Sequence, residues 1–255
     1  MEIFLSADAW IALITLTLLE IILGIDNIIF ISISANKLPK NQRKKATYLG
    51  LALAMITRIL LLLSVSYLIA LKEPFWNINL SWLKVGVTGQ SLILLLGGLF
   101  LLYKSTKEIR SKVHKGQNTT EDENPQKVSS FSSVIVQIIL IDIVFSFDSI
   151  LTAVGMTNGI EGALPIMIVA VVISMIIMMF FANPVNRFVS DNPTIQMLAL
   201  SFLILIGFML ITEAAHLSNA EIFNKTVGAI PKGYLYFAIA FSLIVEMLNI
   251  KMRKN

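Results

Sequence analysis

The sequence predicts an all-α polytopic membrane protein with seven transmembrane helices, arranged as two inverted three-helix repeats plus one extra helix. Three observations predict it. The 255 residues are 56% hydrophobic and only 14% charged, whereas soluble domains carry about 25% charged residues. Apolar runs of about 20 residues, the length that crosses a bilayer core, recur along the whole chain. Two of those runs carry the same acidic signature: Glu20-Ile-Ile-Leu-Gly-Ile-Asp26-Asn27 and Asp142-Ile-Val-Phe-Ser-Phe-Asp148-Ser149.

In order, the apolar runs are Ala9–Ser34, Ala46–Leu71, Val85–Tyr103, Phe131–Thr157, Ala163–Phe181, Thr194–Ala215 and Gly233–Ile250. Asn183-Pro184 is expected to end the fifth, because the residue before proline is pushed out of the helical region. Residues 1–110 read as the first three-helix repeat, 111–128 as a cytoplasmic linker, 129–216 as the second repeat and 231–250 as the seventh helix, all in one transmembrane domain. The linker is rich in Gln, Asn, Thr and Lys and reads as a solvated connector. The repeat also shows in Gly98-Leu-Phe-Leu-Leu-Tyr-Lys104, which aligns with Gly207-Phe-Met-Leu-Ile-Thr-Glu213. An odd number of helices per repeat makes the two halves face opposite ways, an architecture found in transporters. Gly97-Gly98 reads as a place of close helix packing.

Lysine and arginine set the orientation. Lys37, Lys40, Arg43, Lys44 and Lys45 follow the first run, Lys104 to Lys127 follow the third, Arg187 follows the fifth, and Lys251, Arg253 and Lys254 follow the seventh. The positive-inside rule therefore puts the N-terminus outside and the C-terminus in the cytoplasm. Trp10, Trp76, Trp82, Tyr234 and Tyr236 then fall at the outer interface, where an aromatic belt sits. The first run is too long and too poorly flanked for a cleavable signal peptide.

Composition also excludes chemistry. There is no cysteine and there are only two histidines, His114 and His216. Disulfides, thiolate metal sites and a histidine zinc site are therefore not expected. No ATP-binding motif is present, and the chain is not expected to be an enzyme.

The acidic signature is the candidate site. A carboxylate at the bilayer centre costs about 2.5–3.5 kcal/mol on insertion scales. Glu20, Asp26, Asp142 and Asp148, with the oxygens of Asn27 and Ser149, form a hard-oxygen donor set suited to Mn²⁺, Mg²⁺ or Ca²⁺. Four acids exceed the charge of one divalent ion, which allows metal to exchange against protons. Residues six apart on a helix differ by about 240°, so Glu20 and Asp26 share a face only if the helix breaks, as Gly24 would permit. One main site of Asp26 and Asp148, with Glu20 and Asp142 lining the route, is the favoured arrangement; a ladder of sites is the other. Arg58, within the second run, is expected to neutralise one of the four acids or Glu213. The methionines, such as Met175, Met178 and Met179, read as packing or lipid-facing residues.

At these motifs the chain resembles the TerC family of integral membrane proteins, named for tellurium resistance. The residues that carry the resemblance are Gly24-Ile25-Asp26-Asn27-Ile28-Ile29-Phe30 and Asp142-Ile143-Val144-Phe145-Ser146-Phe147-Asp148-Ser149-Ile150, supported by Leu95–Leu101 and Lys232–Ala238. The resemblance implies a place among lysine and cation exporters, a bacterial inner-membrane location and Mn²⁺ efflux. It puts metal-binding roles on Asp26, Asn27, Asp148 and Ser149, with Glu20 and Asp142 as flanking acids. Leu151 stands where many relatives have proline, and the subgroup with cytoplasmic domains after the membrane unit is not matched. The expected partners are the lipid bilayer and the divalent ion as substrate, with no nucleic acid and no permanently bound cofactor; homo-oligomerisation stays open. The alternative function is a membrane scaffold for insertion or metallation of other proteins.

Overall fold

The computed structural model describes residues 6–117, 130–157 and 163–253; the side chains of residues 25–26 and 115–117 also lie outside the description. The chain is mostly helical. Its helices are α1 (Ala7–Ala35), α2 (Lys40–Leu63), α3 (Val65–Ala70), α4 (Gly89–Gln117), α5 (Phe131–Met156), α6 (Ala163–Asp191), α7 (Pro193–Leu217) and α8 (Lys232–Arg253). Among the described residues, six of them, α1, α2, α5, α6, α7 and α8, are long and apolar enough to cross a membrane. In α4 the apolar stretch ends at Tyr103, after which Lys104, Lys107, Glu108 and Arg110 follow.

The all-α expectation needs correction. Four short strands, β1 (Pro74–Asn79), β2 (Leu83–Thr88), β3 (Glu221–Ile222) and β4 (Lys225–Thr226), form one antiparallel sheet in sequence order. Phe75, Trp76, Ile78, Val85 and Val87 supply the β-branched and aromatic residues that pleated structure favours. β3 and β4 join through Phe223 (φ 51°) and Asn224 (φ 60°), the positive-φ pair of a tight hairpin turn. The third apolar run is thus strand up to Thr88 and helix only from Gly89. A capping box starts that helix: Ser91 Oγ accepts from the Thr88 N–H and Thr88 Oγ1 accepts from the Ser91 N–H, both at 3.0 Å.

Other boundaries also move. The second run divides at Ser64 into α2 and α3, and α2 begins at Lys40, six residues before the apolar stretch. α1 is helical straight through Gly24, so the break that residue would permit is absent. Met178 of α6 lies directly over Gly24. α6 continues past Asn183-Pro184 to Asp191. Pro184 removes one N–H from the hydrogen-bond ladder, a local cost that the long helix on both sides of it tolerates. α4 extends into the expected linker as far as Gln117, and residues 118–129 lie outside the described residues.

The chain divides into two compact units, residues 1–67 with 126–191 and residues 68–125 with 192–255. In the first, α1 packs mainly on α6 and α2 mainly on α5. α1 and α5 run antiparallel, since Asn27 meets Asp142 and Ser34 meets Gln137. α1 begins on Ser6, whose hydroxyl accepts from the Ala9 N–H, and carries Asp8 in its first turn, where a negative charge suits the helix dipole.

In the second unit α4 and α7 form the main helix pair. A Cβ on Gly98 would stand 2.6 Å from the Gly207 carbonyl oxygen, and one on Gly207 would stand 3.0 Å from the Gly98 carbonyl oxygen. The two backbones meet where the sequence aligned these glycines. Gly98→Leu should therefore force α4 and α7 apart and lower stability by about 1–3 kcal/mol. Gly155→Ala, where nothing lies within 4 Å, should be neutral. Thermal unfolding of the purified protein in detergent checks both.

Candidate functional site

The first unit buries an ion network where α1, α2 and α5 meet. Glu20, Arg58 and Asp142 are only 3%, 2% and 0% exposed. Arg58 donates from Nη1 to Glu20 Oε2, and from Nη2 and Nε to Asp142 Oδ1 at 3.0 and 3.2 Å. Asn27 Nδ2 donates to the same Asp142 oxygen at 2.6 Å. Asp142 Oδ2 accepts from Ser146 Oγ at 3.2 Å and from Thr57 Oγ1 at 3.3 Å. Asp142 thus accepts from five donors, and a carboxylate has about four lone-pair sites. A new cation can join it only by displacing some of them.

Helix geometry delivers each partner. Ser146 lies one turn after Asp142, so its hydroxyl reaches back along the same face. Thr57 and Arg58 are adjacent on α2 and approach Asp142 from one side. Glu20 on α1 meets the same Arg58 guanidinium. With all three groups ionised, Glu20, Arg58 and Asp142 carry a net charge of −1. Buried charge of this kind is tolerated because it is paired and hydrogen-bonded.

The arrangement differs from the favoured sequence reading. It brings together Glu20 and Asp142, the two expected flanking acids, and Asn27. The Asp26 side chain lies outside the described residues, so its pairing with Asp148 does too. Asp148 is half-buried on α5, and its carbonyl accepts from Thr152 Oγ1 at 3.0 Å. Ser149 is buried and donates to the Ser146 carbonyl at 3.2 Å. Among the described residues, no three His, Asp or Glu side chains gather closely enough to hold a metal ion. Arg58 is paired as expected, with two of the four acids at once. Thr57 and Ser146 were missed as donors; the signal for them was a polar residue beside Arg58 and another four residues after Asp142.

The sequence model of the family described as "Integral membrane protein TerC family" matches residues 5–255. A "UPF0053 protein" of Haemophilus influenzae is 47% identical over 247 residues, covering 97% of this chain and 95% of the relative. The "UPF0053 inner membrane protein YgdQ" of Escherichia coli K12 is 47% identical over 249 residues, with 97% and 95% coverage. The "UPF0053 inner membrane protein YoaE" of the same organism is 42% identical over 256 residues, all of this chain but 45% of that longer protein. No solved structure matches the chain.

Arg58→Leu should leave two buried carboxylates facing each other without a counter-charge, at a cost of about 3–5 kcal/mol. Arg58→Lys keeps the charge but cannot form the forked contacts, and should lose less. Denaturation of both variants in mixed micelles gives the order.

Proposed function

The chain belongs to the TerC family of integral membrane proteins, and on that premise we propose that it exports a divalent metal cation, Mn²⁺ first among them, across a bacterial inner membrane. The observation that carries the reading is the buried network of Glu20, Arg58 and Asp142. Two acids at matching places in the two signatures converge inside helices that are otherwise apolar, and such intramembrane charges mark ion pathways.

The transporter architecture has separate support. α1 and α5, the first helices of the two repeats, run antiparallel, as inversion requires. α1 packs on α6 and α2 on α5, and exchanging the two halves converts one pairing into the other. Gly98 and Gly207, equivalent in the repeat, meet each other's backbone. On this reading α4 is the seventh span, completing the first repeat, and α8 is the extra helix. The positive-inside distribution puts the N-terminus outside.

Arg58 acts as an internal cation. It neutralises Glu20 and Asp142 while no metal is present, and an arriving ion takes over part of that role with Asp26, Asn27, Asp148 and Ser149 as further ligands. These hard oxygens suit Mn²⁺. Alternating access around the α1–α5 contact then carries the ion across. The acids exceed the charge of the ion, so protons are the counter-substrate. The relatives named as inner membrane proteins support the location.

Purified protein in proteoliposomes should move Mn²⁺, and Asp26→Asn, Asp148→Asn and Asp142→Asn should each abolish the flux. Absence of flux under every imposed gradient, with folded protein, would replace this reading by that of a membrane scaffold. Flux should also respond to an imposed pH difference and move protons opposite to the metal, acidifying the compartment the metal leaves; flux with no proton movement would remove the exchange step.

A further inference from the structure

Among the described residues, the first unit buries one end of α1 and leaves a cavity beside the other. From Asn27 to Ala35 every residue of α1 is buried. Before that, α1 is one-sided: Trp10, Ile11, Ile14, Leu18 and Ile22 are exposed, while Ala9, Leu13, Leu16 and Glu20 are buried. Where α1 begins and α5 ends, a cavity of about 330 Å³ is lined by Asp8, Ala12, Thr15, Leu16 and Thr157, among others. That volume reaches the range of small-ligand pockets and holds a hydrated ion. A second cavity, of only about 10 Å³, lies beside Glu20 and is lined by Leu16, Leu62, Ile150 and Ala153. It has room for about one water.

Leu16 lines both cavities and is 2% exposed. Asp8, Ala12, Thr15, Leu16 and Glu20 follow the three- and four-residue spacing of one helix face. Asp8 and Glu20 are twelve residues apart, about 18 Å along the axis. A mainly apolar vestibule that carries Asp8 and the hydroxyls of Thr15 and Thr157 beside Ile11 and Met156, a single leucine and a buried acid thus succeed one another.

We propose that the larger cavity is the outer vestibule through which a divalent cation leaves Glu20, and that Leu16 is the hydrophobic plug between them. The proposal rests on the export reading and adds to it the route and the gating residue. A leucine side chain at a constriction excludes a hydrated ion because no oxygen replaces its lost water. Asp8 and the hydroxyls of Thr15 and Thr157 supply oxygens beyond the plug. The buried stretch from Asn27 to Ala35 closes the opposite end while this end is open.

The chain has no cysteine, so single cysteines report access directly in the full-length protein. Thr15→Cys should react with a membrane-impermeant thiol reagent added from outside, and Mn²⁺ in the outer solution should slow that reaction. Asp8→Asn should remove the protection. Ala153→Cys, behind the plug, should be unreactive, and adding Leu16→Ala should raise its labelling severalfold. Leu16→Thr serves as a second opening variant if Leu16→Ala does not fold. Labelling of Ala153→Cys with Leu16 in place, or protection that persists without it, overturns the plug. Labelling of Thr15→Cys confined to the cytoplasmic side, or insensitive to Mn²⁺, overturns the vestibule. Labelling does not depend on flux, so loss of the route and loss of the export reading are separable results.

Discussion

Arg58 is the constraint on which the rest of the first unit depends. A guanidinium buried among apolar helices requires anions within reach, and two carboxylates require a cation. Glu20 on α1 and Asp142 on α5 both meet that need. Three helices that would otherwise slide on greasy surfaces are thereby fixed in register. Apolar packing between helices in a bilayer has no hydrophobic drive of its own, so polar contacts of this kind and close backbone approach carry much of the specificity. The second unit uses the other device, with Gly98 and Gly207 letting α4 and α7 touch.

On the proposed export reading, the same network would serve both binding and release. Asp142 is already saturated by Arg58, Asn27, Thr57 and Ser146. A metal ion entering there would exchange partners instead of filling a void. Exchange between two bonded states keeps the charge compensated throughout, so neither state is prohibitively costly in an apolar medium. α6, by contrast, carries no charged residue before Arg187.

Much of this was legible in the sequence. The apolar runs set the helices, because length and composition alone decide whether a segment can span a membrane. The acidic signatures located the buried charge, since carboxylates in such runs need a reason. Arg58 was legible as a neutralising group, but its simultaneous hold on Glu20 and Asp142 depends on how α1, α2 and α5 pack together, which no spacing along one helix reveals. The sheet was overlooked because Val85 and Val87 continue into an apolar helix, and hydropathy does not distinguish the two; the Thr88-Gly-Gln-Ser91 cap marked the true start. Pro184 was read by its local preference, whereas the long helix on both sides of it tolerates the one lost N–H.

The central claim is that a divalent cation and Arg58 share Glu20 and Asp142. Equilibrium binding of Mn²⁺ to the purified protein, followed by calorimetry in two buffers of different ionisation enthalpy, tests it most directly. The account predicts binding that releases protons and is lost when Glu20→Gln and Asp142→Asn are combined. Unchanged Mn²⁺ affinity in that double variant would contradict it.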